Sequence, residues 1–298
     1  MMRSRGEKIF GFFNGIFFFF FSIIILIPIF AVLKDSVDLG GQADVRLTLI
    51  PEEFTMIYYR MVFQDRGIYR PFLNSVMITI VGTTLGLLVN GMAGYTLSRR
   101  EIRGSKFLVY FLVVIPLVFG LGSIVVNYLY FKELGLLNTY LVMFLPLLVS
   151  GWNMILFRQF YWTIPFSLTE SAQLDGAPEF TIFWKIIAPM SKAVFAALGL
   201  FTGVGFWNNW LYPLLFVRDA EKYTFPVKLR GMLFFGQDTE MWMQQMAEQM
   251  GVDPAEVIVV FEGLQAATII VAVVPILIVY PYLQRHFTAG IRVGAIKA

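Results

Sequence analysis

Eight residues of the polar stretch ESAQLDGAPEFTIFWKIIAP, at positions 170–189, carry a chemistry of docking rather than of catalysis: Glu170, Ser171, Ala172, Asp175, Gly176, Ala177, Ile186 and Pro189. A polar, acidic, glycine-punctuated stretch that interrupts apolar runs suits the docking of a soluble partner. Pro165 stops whatever helix precedes. Ser167 and Glu170 have the S-x-x-E spacing of a capping box, so a helix is predicted over Leu168 to Asp175. Gly176 is the natural residue to follow it, because only glycine enters the left-handed region without strain. Pro178 then suits the first turn of a second helix, running through Phe183 and Ile187 to Pro189. The expected product is a helix, a turn and a helix. A plain connector, with Glu170 as a cap and Gly176 as a turn, is the competing reading; it must also account for Ala172, Asp175, Ala177, Ile186 and Pro189.

The elements that would hold this stretch are apolar. Of 298 residues 58% are hydrophobic and only 14% charged, too few charges for the surface of a soluble domain of this length. Runs without Asp, Glu, Lys or Arg cover 9–33, 71–98, 107–131, 134–157, 193–217 and 263–284. Each exceeds the roughly 20 residues that a helix needs to cross a bilayer. A β-barrel would alternate instead, so an all-α integral membrane protein with six transmembrane helices is expected.

Charge orients these six. The side holding both termini and the Glu170 stretch carries 13 basic and 5 acidic residues, +8 net; the other carries 10 and 15, −5 net, together the +3 of the whole chain. The positive-inside rule puts both termini in the cytoplasm. This distribution points to membrane topology and not to nucleic acid. With no Cys and a single histidine, His286, thiolate and polyhistidine metal sites are excluded.

The first apolar run is too long for a signal peptide and reads as an uncleaved anchor, with a kink expected at Pro28. Residues 34–70 lie outside, with a short surface helix expected in LTLIPEEFTMIYYRMVF. The Phe17 to Phe21 run reads as lipid-facing. The domain plan is an anchor span and extracytoplasmic segment over 1–70, a five-span core over 71–284 with a cytoplasmic loop at 163–189 and an external loop at 218–261, and a cytoplasmic tail over 285–298. Within the external loop QDTEMWMQQMAEQMGVDPAEV reads as an amphipathic helix broken near Gly251 and Pro254.

The spacing of Glu170, Ala172, Gly176, Ile186 and Pro189 resembles the signature E-A-A-x3-G-x9-I-x-L-P of permease subunits of ATP-binding-cassette (ABC) importers. Ser171 stands where the second Ala would be, and Ala188 where the Leu would be. From about Pro71 to Ala298 the chain resembles permeases of carbohydrate importers, of the small-permease type of the maltose system. The resemblance implies a type I ABC importer permease fold in the bacterial inner membrane. It also implies a second, homologous permease subunit, two ATP-hydrolysing subunits that hold the ATP and magnesium, and an extracytoplasmic solute-binding protein. No cofactor would be bound by this chain. The 170–189 residues named above would couple it to the ATPase, with Glu170 paired to a basic residue there. The tail HFTAGIRVGAIKA resembles the family's tail, which can reach between the ATPase subunits; a basic end at the lipid headgroups fits its charge equally.

For a substrate path the candidates are Trp207, Asn208, Asn209, Trp210 and Tyr212, since aromatic faces and amides stack on and hydrogen-bond to sugars. An interfacial aromatic belt explains the same residues. Asn74, Asn90, Asn127, Asn153 and Gln265 suit either a path or interhelical bonding. The external loop and PILIVYPYLQRHF resemble the branch that handles complex and sometimes acidic oligosaccharides, which makes alginate or another uronate oligomer the expected cargo, with Arg218, Lys222, Lys228 and Arg230 as contacts; these bases also balance Asp219 and Glu221. Two other classes stand beside this one. A membrane enzyme lacks its constellation of acid, base, metal ligand or nucleophile. An ion-coupled carrier or channel would need ionisable or broken-helix sites at mid-membrane, and none is clear. The chain has no G-x4-G-K-[ST] phosphate loop.

Overall fold

The computed structural model describes residues 5–39, 49–99, 104, 107–112, 124–234, 247–248 and 254–295. Among them the chain is helical, with one isolated antiparallel bridge, Asp38 to Phe54. It divides into two compact units, Met1–Tyr69 with Leu229–Val273 and Arg70–Lys228 with Val274–Ala298.

In the first unit α1, Arg5–Asp35, is apolar on every side, and Phe17 to Phe21 are 50–63% exposed in the isolated chain, as lipid-facing residues should be. Pro28 lies inside it without ending it. At its C-terminal end the chain is clipped: Lys34 Nζ lies 2.7 Å from Asp38 Oδ2, and Asp38 Oδ1 accepts from the backbone N–H of Glu52 and of Glu53, both at 3.1 Å. The short helix expected in this segment is α2, Ile57–Gln64, which buries Tyr58 and Val62. The Tyr58 ring sits so close to Gly263 that a Cβ there would meet it at 2.3 Å.

The second unit is built around α3, Arg66–Ser98, against which close-packed glycines bring its neighbours. Then follow α4, Ile124–Glu133; α5, Leu141–Leu148; and α6, Gly151–Tyr161. A Cβ on Gly82 would meet the Phe206 ring at 2.6 Å, and one on Gly94 would meet Phe157 Cβ at 2.6 Å and the Met154 carbonyl at 2.9 Å. One core gathers Ile78, Val142, Met143, Phe206 and Phe216; a second gathers Tyr95, Phe157, Tyr161, Ile182, Phe183 and Ile187.

Among the described residues three helices are long and apolar enough to cross a membrane, Ile9–Asp35, Arg66–Ser98 and Val260–Pro281, or up to five if each of two bent helix pairs is one span. Of the expected 107–131 span, 107–112 and 124–131 are helical, and 113–123 lie outside the described residues. The expected 134–157 span is corrected. It begins only at Leu141, after a turn with Asn138 at φ 61°, and is bent by 47° between α5 and α6. The bend is held by a side chain from another helix: Asn90 Nδ2 donates to the Leu148 carbonyl at 2.7 Å, and Asn90 Oδ1 accepts from the Ser150 N–H at 2.8 Å. Backbone groups that the break would strand in hydrocarbon are thereby satisfied.

The 193–217 span is also broken, into α10, Lys192–Trp207, and α11, Leu211–Phe216. Beyond it come α12, Phe225–Phe234, and α13, Pro254–Ala295. The tail expected from 285 is helical to Ala295, continuous with the last span. The amphipathic helix expected from Gln237 lies outside the described residues except at 247–248 and from Pro254, which opens α13.

Candidate functional site

The 163–189 loop folds as a helix, a turn and a bent second helix. The first helix, α7, is Phe166–Leu174, not Leu168 to Asp175, and the capping box does not form. Pro165 is its N-cap, at φ −56° and ψ 125°, and no side chain caps it. The proline's fixed φ starts the helix at once, so Ser167 falls inside the first turn, beyond capping reach. The Pro165 carbonyl instead accepts from the Leu168 N–H at 3.2 Å.

Its other end forms as the glycine requires. Gly176 sits at φ +76°. Its N–H donates to the Gln173 carbonyl at 2.9 Å, and the Ala177 N–H reaches the Ala172 carbonyl at 3.0 Å, the paired bonds that close a helix through a left-handed residue. Pro178 then caps α8, Glu179–Ile182. A wider π-turn follows at Phe183–Ile187 before α9, Ala188–Met190. Pro189 explains the widening, since it has no N–H and its ring crowds the carbonyl four residues back. The Ala188 N–H reaches five residues back, to Phe183. Between this second helix and the Lys192–Phe216 span the axis turns by 83°, so the two do not share one direction through a membrane.

Of the eight docking residues, Glu170, Ser171, Asp175, Gly176 and Pro189 are exposed, while Ala172, Ala177 and Ile186 are half-buried against Tyr95, Phe157 and Ile182. Small apolar residues therefore face the bundle and the carboxylates face out. Leu174, absent from the sequence-based set, is 89% exposed at the tip of α7, and Phe180 is 66% exposed. Both put apolar surface on the same loop as the exposed carboxylates.

A second group missed by sequence reasoning anchors the loop. Glu179 takes a hydrogen bond from the Tyr95 hydroxyl at 2.6 Å, one from Gln173 Nε2 at 2.8 Å, and an ion pair with Arg99. Burial works hardest on its carboxyl and pushes the pKa up, but the hydrogen bonds from Tyr95, Gln173 and Arg99 and the Arg99 charge outweigh it, so the pKa lies below the ordinary value. The sequence shows Arg99 only as one of several bases in RREIRGSK, and Glu179 as one acid after a proline.

The substrate-path candidates cluster where the fifth span breaks. Trp207 is buried edge-on against Phe72 at 5.7 Å, and Asn209 is buried, with its Nδ2 3.4 Å from the Met143 carbonyl. Asn208 is exposed; Trp210 and Tyr212 are half-buried. Asn74 bonds the Glu221 and Tyr223 carbonyls at 2.8 and 3.0 Å, Asn153 bonds Thr202 at 3.1 Å, and Gln265 bonds the Met232 carbonyl, so with Asn90 these amides link segments of the fold. Lys222 lies 3.4 Å from Asp219 and donates to the Asn138 carbonyl at 3.0 Å.

Comparison with known proteins places this geometry. Residues 82–293 match the family described as binding-protein-dependent transport system inner membrane component. The polygalacturonan/rhamnogalacturonan transport system permease protein YtcP of Bacillus subtilis (strain 168) is 33% identical over 282 residues, 94% of this chain and 96% of the relative. The arabinooligosaccharides transport system permease protein AraQ of Halalkalibacterium halodurans is 29% identical over 304 residues, 99% of this chain and 100% of the relative. In fold, the chain superposes with TM-score 0.83 and 24% identity on a chain of a bacterial ABC transporter involved in the import of the acidic polysaccharide alginate, covering 96% of this chain and 99% of that one. The protein is a member of the binding-protein-dependent transport system inner membrane component family, a transport permease with an all-helical ABC importer permease fold.

Proposed function

We propose that this chain is one of two permease subunits, the other a homologous chain, that form the path of an ATP-driven oligosaccharide importer in the bacterial inner membrane. An extracytoplasmic binding protein delivers the sugar, and two ATPase subunits, which hold the ATP and magnesium, dock on the 163–189 loop. The observation that carries this reading is α7: a helix ended by Gly176 at φ +76°, with exposed Glu170 and Asp175 and an 89% exposed Leu174. A loop that only connected two spans would have no use for an outward leucine beside two carboxylates.

The cargo is an oligosaccharide containing uronate. Relatives named for polygalacturonan and for arabinooligosaccharides support the sugar, and exposed Arg218 supports the charge. Asn208 and Trp210, at the break in the fifth span, are the path residues best placed to meet it. The experiment is reconstitution of the permease pair with its ATPase and binding protein in proteoliposomes. Galacturonate or alginate oligomers should stimulate ATP hydrolysis and be taken up, neutral arabinan oligomers less so, and Trp210→Ala should lower uptake without loss of the ATPase subunits. Equal uptake of neutral and acidic oligomers refutes the uronate assignment, and purification without any ATPase subunit refutes the importer.

A further inference from the structure

We propose that Glu179 and Arg99 form the joint through which movement of α7 reaches the transmembrane helix α3, a positioning role that rests on the importer reading above. Glu179 is where the loop and the span meet. Its carboxylate accepts from Gln173 on α7 at 2.8 Å, from the Tyr95 hydroxyl on α3 at 2.6 Å, and from the Arg99 guanidinium just past the end of α3. Rotation of α7 about the Gly176 turn pulls on Gln173, and the shared carboxylate passes that pull to Tyr95 and Arg99.

The chain entering the loop is tied to the same helix end. Arg158 Nε donates to the Leu97 carbonyl at 2.9 Å and Trp162 Nε1 to the Ser98 carbonyl at 3.0 Å, with the Arg158 guanidinium 4.0 Å from the Trp162 ring centroid. Both strands of the loop therefore grip the last turn of α3. Apolar packing meets this end of α3 as well: the Tyr95 and Phe183 ring centroids lie 5.5 Å apart, and both residues belong to the second buried core. Open clefts of about 220 Å³, bordered by Arg99, Trp162, Phe166 and Thr169, and of about 400 Å³, bordered by Met92, Arg99, Glu179 and Phe180, both adjoin Arg99. That apolar contact is non-directional, whereas the polar link fixes Gln173, Glu179, Tyr95 and Arg99 in one geometry, and the open space beside Arg99 leaves α7 room to tilt. Arg99 is 7% exposed, so its charge depends on this carboxylate more than a surface arginine would.

The test uses the complete transporter in proteoliposomes and reads sugar taken up per ATP hydrolysed, beside pull-down of the ATPase subunits. Glu179→Gln and Arg99→Gln should each lower that ratio about fivefold, the low end for an intersite coupling because Glu179 is half exposed. ATPase retention should not change. The exchanged pair, Arg99→Glu with Glu179→Arg, should recover part of the ratio, and Tyr95→Phe should lower it less than either single charge change. A wild-type ratio in both single variants overturns the joint, and so does loss of the ATPase subunits from them, because the pair would then build the docking surface. A wild-type transporter without ATP-dependent uptake overturns the importer reading, and the joint with it, before any variant is measured.

Discussion

Replacing Gly176 separates conformation from crowding. A Cβ placed on Gly176 meets nothing within 4 Å, so the size of an incoming side chain is not the obstacle; the obstacle is φ +76°. A non-glycine L residue in the left-handed region costs about 1–2 kcal/mol, asparagine less, and a β-branched residue more. That energy shifts the balance between this turn and a right-handed alternative by about five- to thirtyfold. In the alternative the bonds from Gly176 to Gln173 and from Ala177 to Ala172 are lost, and Leu174 and Glu170 face elsewhere. The expected order of damage is Gly176→Asn, then Gly176→Ala, then Gly176→Val. The assay is sugar-stimulated ATP hydrolysis with pull-down of the ATPase subunits, and the melting temperature as a control. Melting should barely move, because the turn is exposed and relaxes locally. Valine no worse than alanine, or all three variants equal to wild type, would refute the reasoning.

The opposite case is Gly94→Ala, where the new Cβ would lie 2.6 Å from Phe157 Cβ and 2.9 Å from the Met154 carbonyl. Forcing α3 from α6 should cost about 1–3 kcal/mol and lower the melting temperature, whereas Gly86→Ala, whose nearest neighbour would be Thr202 Cγ2 at 3.6 Å, should be tolerated. Glu179 sets an acid limit. Its folded pKa is depressed, so its stabilising contribution is complete above the ordinary 4.5 and is lost as pH falls through the lower, folded value; alkaline pH leaves it untouched. Limited proteolysis of the loop should rise below that pH in the wild type, and Glu179→Gln should abolish the rise.

What could be read ahead from the sequence was what local chemistry decides. Gly176 and Pro178 each impose their own dihedral, and both are where the spacing put them, at a helix end and a helix start. Ser167 failed for an equally local reason, because Pro165 two residues earlier had already begun the helix. The breaks at Val149 and at Asn208 were invisible because hydropathy counts side chains, while the cost of a break lies in the backbone. Asn90 removes that cost from 58 and 60 positions away, to Leu148 and Ser150, and no window of sequence holds both ends. Glu179 and Arg99, 80 positions apart, were missed for the same reason.

The wide turn at Phe183–Ile187 absorbs one residue without changing the phase of the helix on either side of it. Each α-helical residue advances the side chains by about 100°, and this turn holds one residue more than an α-turn would. Deleting a single residue there turns the wide turn into an ordinary α-turn and leaves Glu179 facing Tyr95 and Arg99, because the extra residue was taken up within that one turn. Deleting a residue elsewhere between Glu179 and Met190 rotates the side chains before it against those after it by about 100°. The segment therefore tolerates loss of length at one place, the wide turn.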